Sequence, residues 1–340
     1  MGDATTPTSG APAGGQWFPP EWPERIRALA RGEITPPAPR PSATVLLLRD
    51  PPEAVDTAGS ATAGGPQVFL LRRRLSMAFA AGACAYPGGG VDPRDRTPLT
   101  WAGPGPAGWA ERLGVDTATA QSVVCAAVRE TFEEAGVLLA GSTAADVVSD
   151  TTGDDWEADR RALVSRELAF SEFLARRSLV VRDDLLGGWA RWITPEFEAR
   201  RYDTWFFVAL LPAGQQSRNA SSEADRAGWT SPADALAGYR AGELLMMPPT
   251  VATLRALLPH HRAEEALRAA GDRDLAPVLA RARLDGERVV LSWPGHDEFE
   301  RSVASEEAPP DVDGRPAGDH SVPAAPAAPA APAAPGKDTA

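Results

Sequence analysis

Ala126-Ala127-Val128-Arg129-Glu130-Thr131-Phe132-Glu133-Glu134-Ala135-Gly136-Val137 is the stretch on which the fold and chemistry of this chain turn. Residues 119–135 carry helical periodicity and stop at Gly136, a natural position just past a helix end. At about 100° per residue, Glu130, Glu133 and Glu134 fall within roughly 100° of one another on one face. Val124, Val128, Thr131, Phe132 and Ala135 fill the arc on the other side. Like charges at i, i+3 and i+4 repel, and the last turn of a helix is the wrong end for carboxylates because the macrodipole is negative there. Divalent cations on the carboxylates would remove both penalties. Oxygen donors with no His or Cys nearby select Mg2+ or Mn2+ over Zn2+. A solvated acidic helix face is the competing interpretation of these carboxylates taken alone.

Working outward, residues 83–86 form a short strand stopped by Pro87-Gly88-Gly89-Gly90. That is a tight glycine turn whose amides can approach a phosphate or anchor the helix. Apolar runs at 43–48 and 67–71 predict strands, with a Pro/Gly/Ala-rich loop over 51–66 between them. An aromatic-rich strand is expected over 203–211, ended by Pro212, and helices over 156–177, 232–241 and 249–258. Strands and helices mix without regular alternation, which predicts an α+β arrangement and argues against a doubly wound sheet. Trp189, Trp192 and Tyr202 are expected to be core aromatics before base-stacking ones.

The 340 residues, 43% hydrophobic and 24% charged, suffice for one large domain or two ordinary ones. Half of the net charge of −12 lies between Asp297 and Asp338, so the remainder is only mildly acidic. No basic stripe points to nucleic acid, and no apolar run approaches the ~20 residues of a membrane span. Without a leader-like pattern in the first thirty residues, and with only Cys84 and Cys125, a cytoplasmic protein is expected. Residues 1–40 predict a mostly disordered segment with one short helix over 22–31; residues 41–295 predict the globular domain; residues 296–340 predict an acidic, disordered Pro/Ala-rich tail. Residues 103–108 formally fit GxGxxG, but no strand precedes them and two prolines remove amides a pyrophosphate would need. There is no GxxxxGK[ST], HExxH or GxSxG.

These residues resemble the Nudix hydrolase superfamily, whose signature is Gly-x5-Glu-x7-Arg-Glu-U-x-Glu-Glu-x-Gly-U, with U a bulky aliphatic. Arg129, Glu130, Glu133, Glu134, Gly136 and Val137 match it. Thr131 stands at the aliphatic position, and Gln121, eight residues before Arg129, stands where the family has its first Glu. Residues 97–120, rich in Pro, Gly and Trp, are inserted between the glycine turn and the helix. The interrupted motif, residues 80–92, and the segments 189–195 and 200–207 are similar to the acyl-coenzyme A diphosphatase subgroup typified by nucleoside-diphosphate-linked moiety X motif protein 19. A further motif of coenzyme A hydrolases ends in a pattern that Gly82-x3-Tyr86-Pro87-Gly88-Gly89 fits, with Ala78 where its second Arg falls.

The resemblance implies an α/β/α sandwich with a mixed sheet and helical insertions near 97–120 and 145–195 that wall a substrate pocket. It implies metal-dependent hydrolysis of a small nucleoside diphosphate-linked molecule, coenzyme A or acyl-coenzyme A first, with NADH or ADP-ribose as alternatives. A non-catalytic nucleotide sensor is the alternative of a different class. Glu130, Glu133 and Glu134 would hold Mg2+ or Mn2+, with one of them or Glu223 as general base and Arg129 shaping the site. Gly89, Gly90, Arg73, Arg74 and Arg201 are the substrate-binding candidates.

Overall fold

A computed structural model describes residues 21–51, 65–74, 76, 81–285, 288–299 and 301–303. Its helices are α1 (Trp22–Ala30), α2 (Gly105–Leu113), α3 (Thr117–Ala135), α4 (Asp154–Val164), α5 (Phe170–Arg176), α6 (Pro232–Arg240), α7 (Pro248–Leu257) and α8 (Ala263–Ala269). The strands are β1 (Arg40–Arg49), β2 (Gln67–Arg73), β3 (Ala83–Ala85), β4 (Gly88–Gly90), β5 (Ala140–Gly141), β6 (Val180–Val181), β7 (Leu186–Ile193), β8 (Tyr202–Leu210), β9 (Ala224–Thr230), β10 (Leu245–Met246), β11 (Val278–Leu279), β12 (Arg281–Asp285), β13 (Arg288–Ser292) and β14 (Arg301–Val303).

Successive side chains on a strand point to opposite faces, and β8 uses both. Trp205, Phe207 and Ala209 pack with Trp109 and Leu113 of α2, the apolar side of α3, and Phe173 of α5. Phe206 and Val208 pack on the opposite face with Trp22 and Ile26 of α1 and with residues of α6, α7 and α8. A strand apolar on both faces must lie inside a sheet covered by helices on both sides, and β8 does. It pairs parallel with β1 and antiparallel with β7. The nine-stranded mixed sheet runs β10-β3-β2-β1-β8-β7-β11, with β4 added on β1 and β9 on β2. This is the expected α+β sandwich.

Several boundaries differ from those expected. The stretch 156–177 is two helices, because Ser165 caps α4 and Arg166 turns left-handed at φ +63°. The inserted residues 97–120 build α2 and the first turn of α3, where Trp109 and Leu113 are buried against the core. The amides of Gly103 and Gly105, inside the GxGxxG look-alike, both donate to the fully buried Asp183 carboxylate at 2.7 Å. That loop therefore holds an anion of its own chain. Strand β14 lies past residue 295, and Phe299 beside it packs against Trp192 and Trp293. Residues 1–20, Ala78, most of the 51–66 loop and residues 304–340 lie outside the described residues. Among those described, no helix is long and apolar enough to cross a membrane.

Candidate active site

Helix α3 starts where Asp116 accepts hydrogen bonds from the amide (3.0 Å) and hydroxyl (2.6 Å) of Thr119. It stops where Gly136 turns left-handed at φ +68°, a conformation that favours glycine. Between these ends the apolar side is held against the sheet, so the face carrying Glu130, Glu133 and Glu134 is fixed toward β4.

Arg129 ties this face together. Its Nε and Nη2 donate to the two oxygens of Asp95 at 3.0 and 2.9 Å, and Nη1 donates to Glu130 at 2.7 Å and Glu133 at 3.2 Å. Nη2 also reaches the Gly90 carbonyl at 3.1 Å. Asp95, 2% exposed, further accepts the Asp92 amide at 2.8 Å. This residue was missed from sequence, although the signal was present. Counting Gly-x5 from Gly89 lands on Asp95, so the insertion falls after the first carboxylate of the motif and before Arg129. Gln121, which sequence counting put in that role, instead donates to the carbonyls of Arg96 and Thr97 at 2.7 and 3.0 Å.

The glycine turn is needed for close approach. A Cβ on Gly89 would stand 2.5 Å from Glu130 Oε1, and one on Gly88 would stand 2.5 Å from the Ala43 carbonyl. The Gly88 amide donates to Glu134 Oε2 at 2.8 Å, so it anchors the helix and is not free for a phosphate. Ser221 donates to the other Glu134 oxygen at 3.3 Å.

Three carboxylates thus meet one guanidinium in a poorly hydrated space, with Glu134 beside them. Burial pushes Glu134 up to about 8, helped by the neighbouring Glu130 charge and opposed by the Gly88 amide. Burial likewise pushes Glu130 up to about 7 against the pull of Arg129, and raises Glu133. For Arg129, burial disfavours the charge, but Glu130, Asp95 and Glu133 more than reverse that. Cys125, fully enclosed beside Asp95, is pushed well up by burial and stays a neutral thiol.

The carboxylates form the floor of a cleft of about 940 Å3, at the large end of the ~300–1,000 Å3 usual for small-molecule sites. The 145–195 insertion walls it through Leu163, Arg166, Leu168 and Phe170, whereas residues 97–120 contribute nothing to its lining, contrary to expectation. Arg73 lines the cleft and pairs with Glu223 at 3.3 Å, which puts both on the rim. Arg74 is exposed and lies outside the lining. Arg201 is buried, donating to the carbonyls of Thr194 (3.0 Å) and Pro37 (2.9 Å), away from the cleft. Its neighbour Arg200, and Arg40, face the cleft instead. Trp189 and Trp192 are core residues and Tyr202 lines the cleft.

Among the described residues no three His, Cys, Asp or Glu side chains stand as a ready ligand set, because Arg129 and the Gly88 amide hold the carboxylate oxygens. The donor chemistry nevertheless fits a hard divalent cation. The donors are oxygens only, and burial, which raises their affinity for protons, would equally favour a cation that neutralises them.

The family model of the NUDT19 Nudix domain matches residues 109–257. A solved Nudix hydrolase from Alicyclobacillus acidocaldarius superposes with a TM-score of 0.55 at 28% identity, covering 68% of this chain and 96% of its own. With this fold and the Arg129–Glu134 motif, the chain is similar to Nudix proteins of the pyrophosphohydrolase class. Within that class it resembles the NUDT19 branch. The acyl-coenzyme A diphosphatase NUDT19 of Xenopus laevis is 25% identical over 279 residues, 68% of this chain and 71% of that protein. The one from Gallus gallus is 29% identical over 145 residues, 37% of each.

Proposed function

We propose that this chain is a divalent-cation-dependent diphosphatase that cleaves a nucleoside diphosphate-linked compound, with coenzyme A and its acyl derivatives as the favoured substrates. The observation that carries this is the convergence of Asp95, Arg129, Glu130, Glu133 and Glu134 beneath the glycine turn, at the floor of a cleft rimmed by arginines. The similarity to proteins named acyl-coenzyme A diphosphatase supports the choice of substrate.

Glu130, Glu133 and Glu134 would hold Mg2+ or Mn2+, which when bound neutralises charge on the diphosphate and makes water more acidic. The chain's own groups do the rest. Arg129 holds Glu130 and Glu133 in place and is itself oriented by Asp95. The Gly88 amide fixes one Glu134 oxygen. Water attacks one phosphorus, the bridging P–O bond breaks, the other phosphate leaves with the bridging oxygen, and the water proton passes to a carboxylate. Glu134 is our choice for that acceptor, because Ser221 leaves its second oxygen only weakly held. Glu223, on the rim and paired with Arg73, is better placed to meet the substrate than the attacking water.

The test is a panel of coenzyme A, an acyl-coenzyme A, NADH and ADP-ribose with Mg2+ or Mn2+, read as nucleotide product by chromatography. Coenzyme A derivatives should turn over fastest, and Glu133→Gln and Glu134→Gln should each lower kcat by ~10²-fold or more. Tight nucleotide binding with no turnover of any member would overturn the enzyme assignment.

A further inference from the structure

The cleft holds more guanidinium charge than the diphosphate chemistry uses. Arg129 is engaged by Asp95, Glu130 and Glu133, Arg73 by Glu223, and Arg94 by Asp92 and the Arg166 carbonyl. Arg40, Arg96 and Arg200 also face the cleft with side chains that make no hydrogen bond or ion pair among the described residues, and of these Arg40 and Arg200 are neighbours. They stand together because β1 and β8 pair in parallel with Arg40 opposite Tyr202, and the Arg40 amide bonds the Arg201 carbonyl at 2.9 Å.

The buried Arg201 makes this juxtaposition rigid. Its guanidinium joins the Thr194 carbonyl, on the turn leading into β8, to the Pro37 carbonyl, three residues before Arg40. The doublet Arg200-Arg201 thus divides its labour: one guanidinium clips two backbones together, and the other is left open to the cleft. From this pair a polar stripe runs toward the carboxylates. Ser42 and Thr204 are opposite one another with their hydroxyls 2.7 Å apart, and Thr44 lies next along β1 beside Gly88. Elsewhere β1 is an apolar core strand, Val45 to Leu48 being fully buried, so packing does not account for hydroxyls on this face.

We propose that Arg40 and Arg200 form a second anion subsite that takes a phosphate monoester carried by the substrate in addition to its diphosphate. This rests on the hydrolase assignment and sharpens it. Two guanidiniums offer forked donors matched to a phosphate, and the hydroxyl stripe between them and the carboxylates suits a sugar.

The test is calorimetric binding of adenosine 3′,5′-bisphosphate and of 5′-AMP to the full chain in EDTA. The unaltered protein should bind the bisphosphate at least ~10-fold more tightly, and Arg40→Ala/Arg200→Ala should bring that ratio close to one. Arg74→Ala, the loss of one arginine outside the cleft, should leave the ratio unchanged, and Arg40→Ala alone should already lower it. A ratio of one in the unaltered protein, or one that survives the double substitution, overturns the subsite. Because this assay needs no turnover, it separates from the enzyme assignment: a preference that depends on Arg40 and Arg200 in a protein that hydrolyses nothing would refute only the latter. With turnover, the kcat/KM preference for coenzyme A over its dephosphorylated form should fall in parallel.

Discussion

Replacing Asp95 by Ala tests whether the motif is completed across the insertion. Asp95 is 2% exposed and supplies two of the charged contacts of Arg129, whose side chain is 11% exposed. Removing one partner of a buried ion pair costs about 3–5 kcal/mol when the other charge is stranded. Glu130 and Glu133 still face Arg129, which moves the expectation to the low end of that range. Losing the Asp95 bond to the Asp92 amide adds about 1 kcal/mol, as for other caps. The sum is about 3–5 kcal/mol, or ~6–20 °C in Tm for a domain of this size. Gln121→Ala removes two bonds to exposed carbonyls and should cost only about 1 kcal/mol. The assay is urea unfolding followed by tryptophan fluorescence, with Tm by calorimetry and kcat measured alongside. Asp95→Ala should also lower kcat at least ~10-fold, because Arg129 then no longer fixes Glu130 and Glu133. Equal destabilisation by the two substitutions would refute the assignment of Asp95 to the motif.

Gly89→Ala places a methyl 2.5 Å from the Glu130 carboxylate that Arg129 holds, so that carboxylate must leave its place and both Tm and kcat should fall, kcat ~10-fold or more; normal turnover would contradict this. Glu134→Gln should raise Tm by a few degrees in EDTA while abolishing turnover, and added Mn2+ should stabilise the unaltered protein more than the variant; differential scanning fluorimetry with and without metal reads both. Glu157 is held down at about 2, chiefly by its hydrogen bond to Arg160. A carboxylate depressed in the folded state stabilises above its unfolded value, near 4.5, and loses that contribution as pH falls toward 2. Acid unfolding should therefore be shallower over that interval in Glu157→Gln, and an unchanged profile would show that the Arg160 contact has no thermodynamic weight.

Periodicity made the sheet and the acidic helix legible. The run 203–211 becomes β8, alternating Trp205 and Phe207 against Phe206 and Val208, and Glu130, Glu133 and Glu134 share the face that the 3.6-residue repeat assigns them. What local pattern could not give is whatever depends on contacts distant in sequence. Asp95 and Arg129 are 34 residues apart, and counting from the wrong end of the insertion selected Gln121. Arg200 and Arg201 are chemically identical neighbours, and only the turn at Thr194 and the position of Pro37 decide which is buried. The split of 156–177 turns on Arg166 adopting a left-handed conformation that its sequence context does not favour.

The insertion also explains how a broken motif can still make a whole site. Asp92 closes a short turn by accepting the Arg94 amide at 2.9 Å while its own amide donates to Asp95, so Asp95 is placed by local geometry before α2 begins. The inserted chain then leaves through α2, returns as α3, and presents Arg129 to a carboxylate already in position. On the far side Arg160 of α4 donates to the Glu133 carbonyl at 2.7 Å and the Ala220 carbonyl at 3.1 Å, clamping the C-terminal turn of α3 to the rim that bears Ser221 and Glu223. Both ends of the acidic face are therefore fixed by cations from the chain, Arg129 at one and Arg160 at the other, while the oxygens of Glu134 between them have only an amide and a hydroxyl. A buried carboxylate left without a cation of its own destabilises the fold. That placement makes physical sense where a substrate-bound cation completes it.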